Sequence, residues 1–266
     1  MNAIPNPLTS PAPPEIPLPG APLVRVIAQV RFPLVASVES QEFIAPFQEA
    51  IRKEYPVLRQ ERAQSIFVGP KGATPLAESK VWRFSDSTRG WRATLAPDFV
   101  ALESTAYTNR TDMLNRFGRL LKATESHVNP QIVDRVGVRY IDRIVGAQLE
   151  NINAMLRPEI AGVLGAGFGS SAVHALSESV FLIPGGARRL LARWGLVAEG
   201  ATFDANALEA IEQKSWILDL DVFDEESRPF ETTRLVGLAE EFAKVSYTFF
   251  RWAVTEAFLR EYGARL

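Results

Sequence analysis

The sequence contains no cysteine, and its 266 residues include only two histidines, His127 and His174. Without cysteine the chain can form no disulfide, no cysteine–zinc site and no thiol nucleophile. The two histidines lie far apart along the chain, so the sequence supports neither a histidine metal cluster nor a Ser-His-Asp triad. The usual participants in most catalytic mechanisms are missing, and we expect no catalytic residue and no cofactor.

The sequence also lacks a long apolar run and an excess of charge of either sign. No run reaches the roughly 18 apolar residues that span a membrane, and the N-terminus lacks the basic and apolar regions of a signal peptide. We therefore expect a cytoplasmic chain with no membrane partner. The formal net charge of −2 is unlike the strong basic excess of a general nucleic-acid binder, although it leaves room for a local basic groove.

Proline, by contrast, is concentrated at one end of the chain. Eight prolines lie within residues 1–22. Such a segment favours extended polyproline geometry and cannot build a packed core. We predict a flexible tail that is disordered or lies along the surface. A ligand for a proline-recognition domain is the alternative.

The remaining pattern predicts an α+β fold. Residues 23–32 alternate between apolar and mixed positions as a half-buried strand does. Further short β-rich runs are divided by turn residues, which predicts a mainly antiparallel sheet. Apolar residues at spacings of three and four predict helices near 40–55 and 111–125 and one long C-terminal helix over about 232–262, packed across the sheet.

The order of these elements predicts two similar halves, each with antiparallel strands and helices on one face. We assign residues 1–22 to the tail, 23–146 to the first α+β half and 147–266 to the second. The two halves are expected to pack as one globular unit. In the second half the pattern also predicts a small helix near residues 205–210.

The most informative stretch is D-R-V-G-V-R-Y-I-D-R-I at residues 134–144. Arginines and an aspartate on so apolar a strand must be paired, solvated or part of a site. Together with the first strand it supplies candidate residues for an anion or a single-stranded nucleic acid: Arg25, Arg31, Arg139, Tyr140 and Arg143. The alternative is ion pairing with Glu103, Asp142 and Asp219 on the same sheet.

A second candidate site consists of two carboxylates on one strand face. Asp219 and Asp221 lie two residues apart in L-D-L-D, and oxygen ligands of this kind suit Mg²⁺. The alternative is pairing of this open face with Arg188, Arg189 or Arg193 on a neighbouring strand, because opposite charges across strands stabilise sheets.

Several motifs together resemble a sporadically distributed bacterial family of uncharacterised proteins. They are P-L-V-R-V-I-A-Q-V-R-F at residues 22–32, V-G-V-R-Y-I-D-R-I at 136–144 and L-D-L-D at 218–221. The resemblance spans almost everything after the proline tail. It implies a fold plan and no particular activity. Family members often carry Glu where this chain has Arg25 and Gln29, which weakens any carboxylate site on the first strand.

Three functions follow as hypotheses. The first is a non-catalytic binding or regulatory module that acts through a protein partner. The second is an RNA- or nucleotide-binding protein that uses the arginine-lined sheet face. The third is a Mg-dependent phosphotransfer or hydrolytic enzyme centred on Asp219 and Asp221. We favour the first because the sequence offers no convincing catalytic set.

Overall fold

The computed structural model describes residues 4–69 and 72–265, with side chains for all of these except residues 63–78. The strands are β1 (Leu23–Arg31), β2 (Val57–Gly69), β3 (Gly72–Ser85), β4 (Trp91–Ala96), β5 (Phe99–Ser104), β6 (Ile132–Val133), β7 (Arg135–Val145), β8 (Ala175–Leu182), β9 (Arg189–Val197), β10 (Ser215–Asp224) and β11 (Arg228–Pro229). The helices are α1 (Gln41–Ile51), α2 (Arg110–His127), α3 (Ala147–Glu150), α4 (Ile152–Met155), α5 (Pro158–Ala161), α6 (Thr232–Ala253) and α7 (Glu256–Glu261).

Nine of the strands form one antiparallel sheet in the order β2-β3-β4-β5-β1-β7-β10-β9-β8, and β6 pairs with β11 separately. The predicted α+β class with a mainly antiparallel sheet and a long C-terminal helix is confirmed. Alternation of side chains explains why β1 forms as predicted: Val26, Ala28 and Val30 are buried, while the side chains between them are partly exposed or exposed.

The C-terminal helix is interrupted where the sequence pattern predicts continuity. The helix α6 ends at Ala253. Two residues later, Thr255 caps α7, because its side chain accepts a hydrogen bond from the Phe258 amide. A preceding segment binds this break, since Arg157 N–H donates to the Ala253 carbonyl and Thr255 N–H donates to the Met155 carbonyl. These backbone contacts between distant segments replace helical hydrogen bonds, and sequence periodicity does not report them.

The small helix predicted near residues 205–210 is wrong. Asp204 begins a single turn there, in which its carbonyl accepts from the amides of Ala207 and Leu208. Its side chain also accepts from the Asn206 amide. Aspartate commonly bonds to the backbone just ahead of it, which favours a turn over a helix.

Contacts divide the chain into two compact units. Unit A comprises the described residues within Met1–Val26, Val138–Asp224 and Glu241–Leu266. Unit B comprises those within Ile27–Gly137 and Glu225–Glu240. In unit A, β8 contacts α6, where the Phe181 and Phe249 ring centroids are 6.1 Å apart. In unit B, α1 packs on the sheet through Phe47 and Phe84, whose ring centroids are 5.6 Å apart.

Candidate functional site

Arg139 on β7 is held by two carboxylates of unit A. Its Nε and Nη2 donate to Oδ1 and Oδ2 of Asp219 at 2.7 and 2.9 Å. Its Nη1 donates to Oδ2 of Asp204 at 2.7 Å. The side chain is 15% exposed, so this planar two-point pairing with Asp219 takes place almost out of water. The guanidinium group is committed to protein carboxylates.

Asp219 stands at the centre of a row of charges across unit A. It is 1% exposed, and on β10 it lies opposite Arg193 of β9, which lies opposite Glu178 of β8. Arg193 Nη1 donates to Asp219 Oδ2 at 3.2 Å, and its Nε donates to Glu178. Glu178, Arg193, Asp219 and Arg139 are called the charged row below. Opposite charges alternate along it, which is the arrangement that offsets the cost of burying each one.

A loop covers the charged row. Asp204 reaches Arg139 from this loop, and the guanidinium carbon of Arg193 lies 5.5 Å from the centroid of the Phe203 ring. Thr202 fastens the loop, because its hydroxyl donates to the Leu208 carbonyl at 2.6 Å. The loop therefore supplies both a third carboxylate and an aromatic cover that screens the pairs from water.

The pairing moves the proton affinities of its members in the direction that keeps them charged. Burial works to lower the pKa of Arg139, but the hydrogen bonds that Arg139 donates to Asp219 and Asp204, together with their negative charge, outweigh it and raise that pKa above its usual range. Burial works to raise the pKa of Asp204, but the hydrogen bond from Arg139 outweighs it and lowers that pKa. Arg139 and Asp204 therefore both stay ionised at neutral pH and act as fixed structural charges.

The two carboxylates proposed for Mg²⁺ share one face of β10, as the spacing of two predicts. Asp219 uses both of its oxygens on arginine hydrogen bonds, and Asp221 is half-buried. In the part of the chain that the structure describes, no three His, Cys, Asp or Glu side chains form a group that could hold a metal. The expected pairing of Asp219 with Arg193 is present, and Arg139 adds a second cation.

The other predicted arginines each have their own surroundings. Arg31, in unit B, donates to Asp98 at 2.6 Å in an exposed pair. In unit A, Arg143 Nη2 donates to the Glu209 carbonyl at 2.5 Å, and burial lowers the pKa of Arg143. Arg25 is half-buried on β1. Arg139 and Arg143 share one face of β7, but Tyr140 lies on the other face, so the structure does not gather the predicted set into one cluster within unit A.

Sequence reasoning offered Asp142 as one of the carboxylates that pair with the arginines, and within the described residues no such pair forms. Asp142 lies on the β7 face opposite Arg139 and is buried. Among the described residues its carboxyl has no hydrogen bond or ion pair, and burial raises its pKa to about 7. The pKa of the Tyr262 phenol, at the end of α7, is raised to about 12. Burial is the main cause, and the negative charge of Asp142 adds to it. Alternation alone places Asp142 on the face opposite Arg139, but only the fold shows that no cation with a described side chain pairs with it.

A surface that sequence reasoning also missed lies at the end of the sheet, on β8. This strand is last in the strand order and pairs with β9 on its inner side. Its residues Val180 and Leu182 are 60% and 65% exposed. Their side chains lie on the same face of β8 as Glu178, which is the outer member of the charged row. Val180 and Leu182 are called the apolar edge below. The three consecutive apolar residues V-F-L after S-E-S, which place apolar side chains on both faces of a strand, are the sequence signal that could have indicated this edge.

Comparisons with known proteins add no family. A scan against protein families finds no match, and no curated protein is similar to this sequence. Within residues 4–69 and 72–265, no helix is both long enough and apolar enough to cross a membrane.

Proposed function

We propose that this chain is a non-catalytic binding module of the cytoplasm, which recognises a protein partner by strand addition to β8. The observation that carries the proposal is the terminal position of β8 combined with the exposure of Val180 and Leu182. Natural sheets usually protect an edge with lysine, proline or a bulge, and an unprotected edge invites another strand. The segment Ala175–Leu182 contains neither lysine nor proline.

The chemistry of β8 indicates what kind of segment the partner offers. In strand addition the main chains of the two strands supply the affinity and alternate side chains supply the specificity. The apolar positions Val180 and Leu182 favour apolar side chains opposite them. Glu178 is the only charged residue of β8 and its side chain is 56% exposed, which favours a lysine or arginine opposite it. The proposed ligand is an extended segment with apolar residues at every second position and one basic residue.

The contacts of the charged row support this assignment indirectly, because they weaken the competing nucleic-acid hypothesis. Arg139 directs three of its nitrogens to Asp219 and Asp204, which favours a structural role for the residue that the nucleic-acid hypothesis needs most. The nucleic-acid and magnesium hypotheses stay predictions for which the described residues supply no favouring contact. The exposed apolar edge, in contrast, has no structural role in unit A that would explain its composition.

The test compares three tagged full-length chains expressed in the native host. One is the native chain, one carries Val180→Lys and Leu182→Lys, and one carries Leu34→Lys as a control at an equally exposed apolar residue of unit B. We expect a protein that co-purifies with the native and Leu34→Lys chains at equal yield, and at least about ten-fold less with the β8 variant. The recovered protein is then purified and titrated against all three chains by calorimetry.

Equal affinity of the purified partner for the native chain and the β8 variant would contradict the proposal. So would the absence of any protein that distinguishes the three chains. Thermal unfolding of each chain provides the folding control, because exposed substitutions on β8 should leave the melting temperature almost unchanged.

A further inference from the structure

The proline-rich segment lies along the C-terminal helices of unit A and is held through its backbone. The Tyr247 hydroxyl on α6 accepts from the Ile16 amide at 2.8 Å and donates to the Pro14 carbonyl at 3.2 Å. Arg251, one helical turn later, donates from Nη1 to the same Pro14 carbonyl at 3.2 Å. The Gly20 amide donates to the Tyr262 carbonyl at 3.3 Å. Side chains of α6 therefore bind a peptide backbone.

The segment meets this surface with one side of an extended helix. Within residues 10–17, Ser10, Pro13 and Ile16 are half-buried, whereas Pro11, Pro14 and Pro17 are exposed. A burial period of three is that of a polyproline II helix, which has three residues per turn and no internal hydrogen bonds. Its carbonyls point outward and are available to donors such as Tyr247 and Arg251. The prolines stiffen the segment in the geometry that these donors require.

Tyr247, which binds the segment, belongs to a row of aromatic side chains on α6 and α7. Tyr247 stacks near Phe250, Phe250 meets Phe258 edge to face, and Phe258 contacts Tyr262, with centroid distances of 6.3, 5.5 and 4.6 Å. The Arg251 guanidinium carbon lies 5.7 Å from the Tyr247 ring centroid, and Arg251 also donates to the Tyr247 hydroxyl at 3.0 Å. Aromatic surfaces with a hydroxyl donor are the common receptors of proline-rich segments.

We infer that Tyr247 and Arg251 on α6 form a binding site for extended proline-rich segments of a partner protein, and that the chain's own residues 10–17 occupy it as an exchangeable ligand. Exchange is feasible because none of residues 10–17 is fully buried. Recognition through a carbonyl and an amide accepts any segment with this backbone geometry. None of these residues belongs to β8, so the site is independent of strand addition there.

The test uses the full-length chain with residues 10–17 replaced by alternating Gly and Ser, which opens the site and keeps the chain length. The probe is a fluorescein-labelled peptide of residues 8–19, L-T-S-P-A-P-P-E-I-P-L-P, followed by fluorescence anisotropy. We expect saturable binding to the replaced chain. The native chain should bind at least about ten-fold more weakly, because its own segment competes at high effective concentration.

Two point variants in the replaced chain locate the binding. Tyr247→Phe removes the hydroxyl that makes two backbone hydrogen bonds, and should weaken probe binding by about five-fold or more. Tyr262→Phe is the matched control, since Tyr262 contributes its backbone carbonyl, and should change binding by less than about two-fold. A probe with every proline changed to alanine should bind at least about ten-fold more weakly, because it loses its preformed geometry.

The absence of saturable binding to the replaced chain would overturn the inference, as would equal binding by the native and replaced chains or no effect of Tyr247→Phe. If the replaced chain does not fold, the same question is put to the native chain carrying Ala12→Cys, since it has no other cysteine for a nitroxide label. Excess unlabelled peptide should then release the label into fast motion. If neither the peptide nor Tyr247→Phe changes the motion of the label, the result contradicts the exchange of residues 10–17.

Discussion

On one face of the unit A sheet, charged side chains are buried at the inner end and apolar side chains are exposed at the outer end. At the inner end, the charged row buries Asp219 between Arg139 and Arg193. At the outer end, on β8, the apolar residues Val180 and Leu182 are exposed. Most protein surfaces show the reverse, with charges outside and apolar residues inside. We infer from this difference that the charges stabilise the fold, and it is the reason for proposing the apolar edge as a surface for recognition.

A second comparison on β7 shows why the inner charges need one another. Arg139 and Asp142 lie three residues apart on opposite faces of the strand. Arg139 has carboxylate partners and stays charged, whereas burial raises the pKa of Asp142 to about 7. A buried charge is retained where a partner offsets its desolvation, and is otherwise given up by protonation or deprotonation.

The largest effect should come from removing the centre of the charged row. Asp219→Ala leaves Arg139 and Arg193 largely buried without their shared carboxylate, and breaking a buried pair in this way costs about 3–5 kcal/mol. We expect the free energy of unfolding in urea to fall by that amount. Asp98→Ala is the matched control because it breaks the exposed pair with Arg31, and it should cost less than about 1 kcal/mol. Similar losses from the two variants would show that burial of the row contributes nothing.

The next effect concerns Asp142 and depends on pH. The folded pKa of about 7 lies above the unfolded value of about 3.9. Between those two values the unfolded chain has released the proton that the folded chain still holds, so raising the pH destabilises the fold until the pH passes the folded pKa. The penalty is absent below pH 4 and complete near pH 8, and it amounts to roughly 2–4 kcal/mol.

Asp142→Asn cannot ionise and should escape this penalty. We therefore expect the stability of the variant relative to the native chain to rise by roughly 2–4 kcal/mol between pH 4 and pH 8. Urea unfolding of both chains at pH 4, 6 and 8 measures the difference, in which the titration of all other groups cancels. A difference that does not change with pH would mean that Asp142 is ionised in the fold.

A smaller effect is expected at the outer end of the charged row. Glu178 pairs with Arg193 but is more than half exposed, so Glu178→Gln should lower the free energy of unfolding by less than about 1 kcal/mol. Comparing this loss of unfolding free energy with that of Asp219→Ala shows how the stabilisation changes from the buried to the exposed end of the charged row. A loss at Glu178 as large as that at Asp219 would place the stabilisation at the rim.

The smallest effect on stability is expected at the apolar edge. Val180→Lys with Leu182→Lys changes residues that bury little surface, and should alter the free energy of unfolding by less than about 0.5 kcal/mol. Urea unfolding measures this directly. A large loss would mean that both side chains contribute to the core of unit A, which would remove the reason to assign the edge to recognition.

Much of this architecture could be predicted from local patterns. The strand β1 and the helix α2 lie where side-chain periodicity predicts them, because their buried faces repeat at the period of the element. Cross-strand charge predicted, as the alternative to a metal site, that the Asp219 face pairs with Arg188, Arg189 or Arg193, and Arg193 is the one that bonds to Asp219. These features depend on neighbours in one element or on adjacent strands.

Other features depend on distant contacts and were missed for that reason. The end of α6 at Ala253 is fixed by the segment around Arg157, and Asp204 reaches Arg139 from a loop. The isolation of Asp142 is a property of everything packed around it. The apolar residues at the end of β8 are visible in the sequence as the run V-F-L, but the terminal position of the strand follows from the order of the whole sheet.

The most direct test of the central claim is site-specific photo-crosslinking in the native host. A benzoylphenylalanine placed at position 182 of the full-length chain reports on the β8 edge, and the same residue at position 34 reports on exposed Leu34 of unit B. We predict one partner adduct that forms from position 182, is absent from position 34, and disappears when Val180→Lys is added. Identical adducts from the two positions, or none that depends on Val180, would contradict recognition at the β8 edge.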